Sequence, residues 1–157
     1  MHYKTLGKTL FLLLVLLGLS IGFSACVTDS YQTGSGYRTM AWNDAISAGI
    51  PAQYFVNQIN MESGFNPDAR GGDGEIGIAQ FMPDTAKGLS INAYDAADSL
   101  RGAAMLMGRY YARYGSYDKA LAAYNAGSET VDNAVLYWDW KNHIPASTVR
   151  YISGIMG

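Results

Sequence analysis

The strongest constraint on this chain is an apolar helical stripe that ends on an acid. From Pro51 the sequence runs P-A-Q-Y-F-V-N-Q-I-N-M-E-S-G. Ala52, Phe55, Val56 and Ile59 recur at three- and four-residue steps, which is one face of a helix. Pro51 suits the first turn, and Ser63-Gly64 supplies a stop. Continued past Ile59, the stripe lands on Glu62. A carboxyl therefore falls on the inward face, at the last turn. Burial disfavours its charged form, and the negative end of the helix dipole disfavours it further. Glu62 is predicted to keep its proton at a higher pH than a free glutamate. A proton-bearing carboxyl is what general acid catalysis needs. A hydrogen-bonded or snorkelling structural glutamate has the same spacing, so spacing alone leaves both readings open.

The remaining pattern is mainly α, in one domain. Ala41–Gly49 reads as a short helix ahead of Pro51. Asn66-Pro67 marks a turn, and 68–76 is a glycine-rich loop. Gly77–Met82 reads as an extended segment or small hairpin edge, the one β element expected. Pro83 opens a short helix that stops near Gly88. Asp95–Tyr114 is the longest helix. Leu100, Ala103, Met107, Tyr110 (or Tyr111) and Tyr114 share its stripe, with Asp95 and Asp98 in its first turn and Arg113 in its last. Asp118–Ala126 turns Leu121 and Tyr124 inward. Ser128 is expected to cap the next helix, with Glu129 in its first turn. Trp138 and Trp140 are expected at a groove edge or packing seam. Pro145–Met156 closes the chain, with Val149 and Ile152 spaced for burial.

Residues 1–25 stand apart. Lys4 and Lys8 precede an apolar run, Leu10–Phe23, which is short for a membrane span and right for a signal-peptide core. Phe23-Ser24-Ala25-Cys26 resembles a bacterial lipobox, with Phe23 where Leu is usual. Cys26 is the sole cysteine, so no intrachain disulfide is possible. The reading taken is a signal peptide over 1–25, lipidation at Cys26, and a flexible tether over 26–40. A plain secretory signal with an incidental thiol is the alternative. Loss of Lys4 and Lys8 leaves nine basic against thirteen acidic residues, or −4. That balance, without a basic run, argues against a nucleic-acid partner. Twelve Tyr and three Trp suit a polar aromatic surface such as a carbohydrate groove.

Few residues remain for chemistry. The glutamates are Glu62, Glu75 and Glu129. Glu129 reads as a helix-start charge, and Glu75, in the glycine loop, as solvated. His2 and His143 cannot form a pair, which removes Ser–His–Asp and Cys–His arrangements. Sulfur and imidazole ligands are too few for zinc. The G-G-D-G-E-I-G-I run lacks the Lys-Ser/Thr of a phosphate loop. No metal or other cofactor is implied.

Four ordered segments carry a resemblance. Glu62-Ser63-Gly64-Phe65-Asn66-Pro67, Gly77-Ile78-Ala79-Gln80-Phe81-Met82-Pro83, Ala122-Ala123-Tyr124-Asn125-Ala126-Gly127 and Pro145 to Tyr151 resemble the motifs of the Slt-type lytic transglycosylases. The resemblance covers about residues 54–156. It implies a lysozyme-like fold of the goose-type lysozyme and SLT kind. It also implies non-hydrolytic cleavage of the β-1,4 bond between N-acetylmuramic acid and N-acetylglucosamine in peptidoglycan. Glu62 matches the acid. It would protonate the bridging oxygen and then deprotonate the muramoyl C6 hydroxyl, closing a 1,6-anhydro ring. Gln80 and Met82 match groove-lining positions; Tyr124 and Asn125 match a turn beside the acid; Tyr151 matches a tyrosine near the carboxylate. Ser63 follows the acid in the family and equally well ends the helix.

Three positions depart from the pattern. Gly71 stands where many relatives carry a serine that hydrogen-bonds the acid. Ser147 stands where Glu often precedes Thr, and Gly-Leu-Met-Gln is relaxed to Gly-Ile-Ala-Gln. The expected partners are glycan strands, a membrane through a lipid on Cys26, and a larger envelope machine. The expected location is the periplasm, at the outer membrane. Two other readings stand beside this one. A hydrolytic muramidase would need Asp73 or Glu75 as a base, and a non-catalytic wall-binding or assembly module would need neither.

Overall fold

The computed structural model describes residues 34–157. The signal-like segment 1–25, Cys26 and residues 27–33 of the tether lie outside the described residues. The helices are α1 (Gly34–Ser47), α2 (Ala52–Ser63), α3 (Pro83–Leu89), α4 (Ala96–Tyr114), α5 (Tyr117–Ala126), α6 (Ser128–Ala134) and α7 (Ala146–Met156), with a 3-10 turn at Trp140–His143 before the last. Among the described residues no helix is long and apolar enough to cross a membrane.

Helix α5 lies at the centre. It packs on α4, α6 and α7, while α2 bridges α1 and α7. Ala120, Leu121 and Ala122 of α5 are fully buried, and so are Phe55 and Ile59 of α2 and Leu100, Ala103 and Met107 of α4. Each large apolar side chain so buried stabilises the fold by about 2 kcal/mol relative to exposure. The stripe read in the sequence therefore does face inward. Asp95 caps α4 as its charge pattern required, its side chain accepting the Asp98 N–H at 2.8 Å.

Two expectations change. Helix α1 begins at Gly34, not at Ala41, so the boundary drawn between tether and domain falls inside a helix. Gly34, Ser35 and Gly36 are poor helix formers. What holds this turn is packing: Tyr37, Ala41 and Ala45 recur every four residues and are all buried. Arg38 also spans to α2, donating to Asn60 Oδ1 at 2.8 Å and stacking over Phe65. The second change concerns Gly77–Met82: residues 77–80 are a turn rather than an extended segment, while Phe81 pairs as a hairpin edge and Met82 is extended. Ile76 and Phe81 exchange both backbone hydrogen bonds, at 2.9 and 3.0 Å, and residues 77–80 form a tight turn between them. This hairpin-like bridge, with a second bridge from Arg70 to Ile76, is all the β structure among the described residues.

Gly77 makes the turn possible. Its φ is +74°, a conformation side chains resist, and a Cβ there would lie 2.2 Å from the Ala93 carbonyl oxygen. Gly77→Ala is expected to cost more than about 2 kcal/mol, because neither backbone can yield cheaply. Urea denaturation of the variant beside wild type measures it.

Candidate active site

Glu62 lies in the last turn of α2, and Gly64 closes that helix in the left-handed conformation, its N–H donating to Asn60 O at 2.9 Å. The carboxyl is part-buried. One side opens to a cavity of about 160 Å³ lined by Glu62, Glu75, Gln80, Met82, Tyr124 and Asn125. On the other side, the Tyr151 hydroxyl of α7 donates to Glu62 Oε1. Burial pushes the carboxyl up from its ordinary value of 4.5 to about 7; the Tyr151 hydrogen bond pulls it down and the negative charge of Glu75 pushes it up. None of the ion pairs among the described residues reaches Glu62. Burial likewise holds Tyr124 and Tyr151 well above the ordinary tyrosine range, with the charge of Glu62 adding to it. Both hydroxyls thus remain donors.

The turn at 77–80 forms the facing wall and is held by two hydroxyls. Ser63 Oγ donates to Ile78 O at 2.6 Å, and Tyr124 Oη donates to Ala79 O at 2.7 Å. Gln80 sits at φ +49°, an uncommon conformation for a side-chain-bearing residue, held by its own Nε2 donating to Gly77 O at 2.8 Å. Asn125 is fixed from α7, its Oδ1 accepting from the buried Thr148 hydroxyl at 2.8 Å. Met82 caps α3 and is exposed at the rim. A second cavity of about 120 Å³ adjoins the first through Gln80, Met82 and Tyr124 and runs on to Leu106 and Tyr110. The two share one wall beside the acid.

Of the residues singled out in the sequence, Glu62, Gln80, Met82, Tyr124 and Asn125 meet at one cavity. Tyr151 supports the acid from behind, and the Ser63 hydroxyl is turned to the backbone of the turn. Trp138 and Trp140 stand apart from it. Trp138 is 95 % exposed, and Trp140 packs near Lys119 and Lys141. Glu75, read as solvated, is instead half-buried on the cavity wall. No periodicity marks a residue in so glycine-rich a loop. A larger cavity of about 560 Å³ lies between α1 and α4, beside Asp44, Arg101 and Met105. It holds none of the groups around Glu62.

The transglycosylase SLT domain model matches residues 40–146. A transglycosylase of enterobacteria phage PRD1 is 36% identical over 96 residues, covering 57% of this chain and 36% of that protein. The chain therefore spans about a third of that relative's length. Among solved structures, an inactive mutant of lytic transglycosylase Slt from Pseudomonas aeruginosa superposes with a TM-score of 0.64 at 23% identity, over 75% of this chain and 22% of that one. That likeness carries the fold, which is mainly helical and lysozyme-like.

The acid has a consequence for stability. Its folded-state value lies above its unfolded one, so its contribution is fully present below about pH 4.5 and is lost as pH rises through about 7. Glu62→Gln keeps an acceptor for Tyr151 and removes the charge. The variant is expected to exceed wild type by about 2 kcal/mol near pH 8, with the gap closing toward pH 4. Denaturant titrations at the two pH values check this.

Proposed function

The chain belongs to the transglycosylase SLT domain family, and from that membership we propose that it is a lytic transglycosylase acting on bacterial peptidoglycan. The substrate is the β-1,4 bond between N-acetylmuramic acid and N-acetylglucosamine. Glu62 gives its proton to the bridging oxygen as the C1–O bond breaks, leaving an oxocarbenium-like muramoyl ring. The same carboxylate then takes the proton of the C6 hydroxyl, whose oxygen bonds to C1. One glycan end leaves with a new hydroxyl, the other carries a 1,6-anhydro ring, and Glu62 regains its proton. Water is not consumed. A nucleophile within the substrate is already placed, so one carboxyl serves both steps.

The observation that carries this reading is the part-buried carboxyl of Glu62 on the wall of that cavity, pushed above the ordinary carboxylate range by burial. Tyr151 orients it, and Tyr124 steadies the turn across from it. Gln80, Met82 and Asn125 take the sugars, Met82 against a ring face. Ser63 contributes through the turn rather than by touching substrate. No cofactor takes part. Such a substrate lies outside the cytoplasm, so the chain is exported. It is held at the outer membrane by a lipid on Cys26.

A hydrolytic muramidase is the second reading, favoured by the presence of Glu75 on the same wall. A wall-binding module without catalysis is the third. Mass spectrometry of digested peptidoglycan separates them. The proposed enzyme releases anhydro-muramoyl products, one water lighter than the reducing-end products of hydrolysis. Glu62→Gln is expected to lower the rate at least about a hundredfold, since acid and base are lost together. Reducing ends from wild type would establish hydrolysis, and a wild-type activity in Glu62→Gln would remove Glu62 from the chemistry. The rate should also fall as pH rises through about 7, where the acid gives up its proton. A pH–rate profile of wall lysis reads that limb.

A further inference from the structure

Position 71 has no side chain, and the space beside it is filled. A Cβ built on Gly71 would lie 2.0 Å from Glu75 Oε2, 2.6 Å from its Cδ and 2.9 Å from its Cβ. The loop brings the two together because Gly71 N–H donates to Glu75 O at 3.0 Å and the Arg70–Ile76 bridge closes around them. Glu75 Oε2 also accepts the Asp73 N–H at 3.0 Å. The side chain is therefore folded back over the loop rather than extended into water, and it lines the same cavity as Glu62.

We propose that Glu75 is a positioning residue for the acid: its carboxylate takes the place that a side chain at position 71 would occupy and sets a negative charge on the cavity wall it shares with Glu62. This rests on the functional reading given above for Glu62. The groups facing Glu62 are few. Tyr151 comes from α7 and donates to it, Tyr124 comes from α5 and stays neutral, and Glu75 comes from the loop. Among the described residues, the charge beside Glu62 is that of Glu75. Its sign opposes ionisation of Glu62, in the same direction as burial and against the hydrogen bond of Tyr151. Gly71 is then the partner that makes room, and the two positions act as one unit.

The test is an NMR titration of the Glu62 side-chain carboxyl carbon in the full chain, run beside a pH–rate profile of wall lysis. Glu75→Gln keeps the shape and an acceptor for Asp73 N–H but removes the charge. It is expected to lower the Glu62 midpoint by about half a unit or more and to move the alkaline limb of the rate profile the same way. Gly71→Ala should expel the flexible Glu75 carboxylate and give a similar shift. Combined with Glu75→Gln it should add nothing. An unmoved midpoint in Glu75→Gln, or shifts that add in the double variant, overturns the proposal. The midpoint can be read whether or not the chain makes anhydro sugars, so failure here and failure of the functional reading are separate results.

Discussion

The hydrogen bond between the Tyr151 hydroxyl and the Glu62 carboxyl is the contact on which the site turns. It joins the end of α2 to the last helix of the chain. Helix α7 rests on α5 as well as on α2. Two effects meet at this carboxyl. Enclosure penalises its charged form, and a donated hydrogen bond favours that form. Enclosure wins, and the acid ends near 7 rather than near 4.5. Without the tyrosine the balance would tip further. With it, the proton is held but can be surrendered.

The rest of the cleft is arranged so that backbone, not side-chain bulk, fixes the opposite wall. Two neighbouring carbonyls of one turn, Ile78 O and Ala79 O, are held from two helices by Ser63 and Tyr124. Each such bond is worth only about 1 kcal/mol net, but leaving a buried carbonyl unpaired costs more. The turn is thus pinned in a shape it would not choose alone, with Gln80 at positive φ and Gly77 where a side chain would meet Ala93 O. Uncommon backbone of this kind persists where its surroundings over-determine it. Here the surroundings are the helix that bears the acid and the core helix α5.

Much of this is legible in the sequence, for definite reasons. A stripe such as Ala52-Phe55-Val56-Ile59 has one inward face, and spacing alone puts Glu62 on it. Helix α4 announces itself through its stripe and end charges, and its Asp95 cap follows. Other features depend on contacts between distant segments, which periodicity does not encode. Gly34-Ser35-Gly36 is a poor local helix, rescued by packing through Tyr37. Gly77–Gln80 looks like a weak alternation, yet it is a turn because two remote hydroxyls claim its carbonyls. Glu75 sits in a loop whose composition reads as solvated, and only the empty side of Gly71 draws it back toward Glu62. The Ser63 hydroxyl goes to Ile78 O of the facing turn, a contact that its place at the end of a helix does not announce.

Two carboxyls on one wall invite comparison with ordinary glycosidases, in which one acts as acid and the other as base or nucleophile. The proposed reaction does not need that division. Glu75 Oε2 accepts the Asp73 N–H and lies over the open side of Gly71. A better use for its charge lies in Glu62 itself. A group that must give a proton in one step and take one in the next works best when its affinity for that proton sits near the working pH, since either extreme slows one half of the cycle. Burial raises that affinity, Glu75 raises it again, and Tyr151 restrains it, so the three together leave Glu62 close to 7. On this view the second carboxylate is not a second catalyst but part of the means by which one carboxyl can serve in both directions.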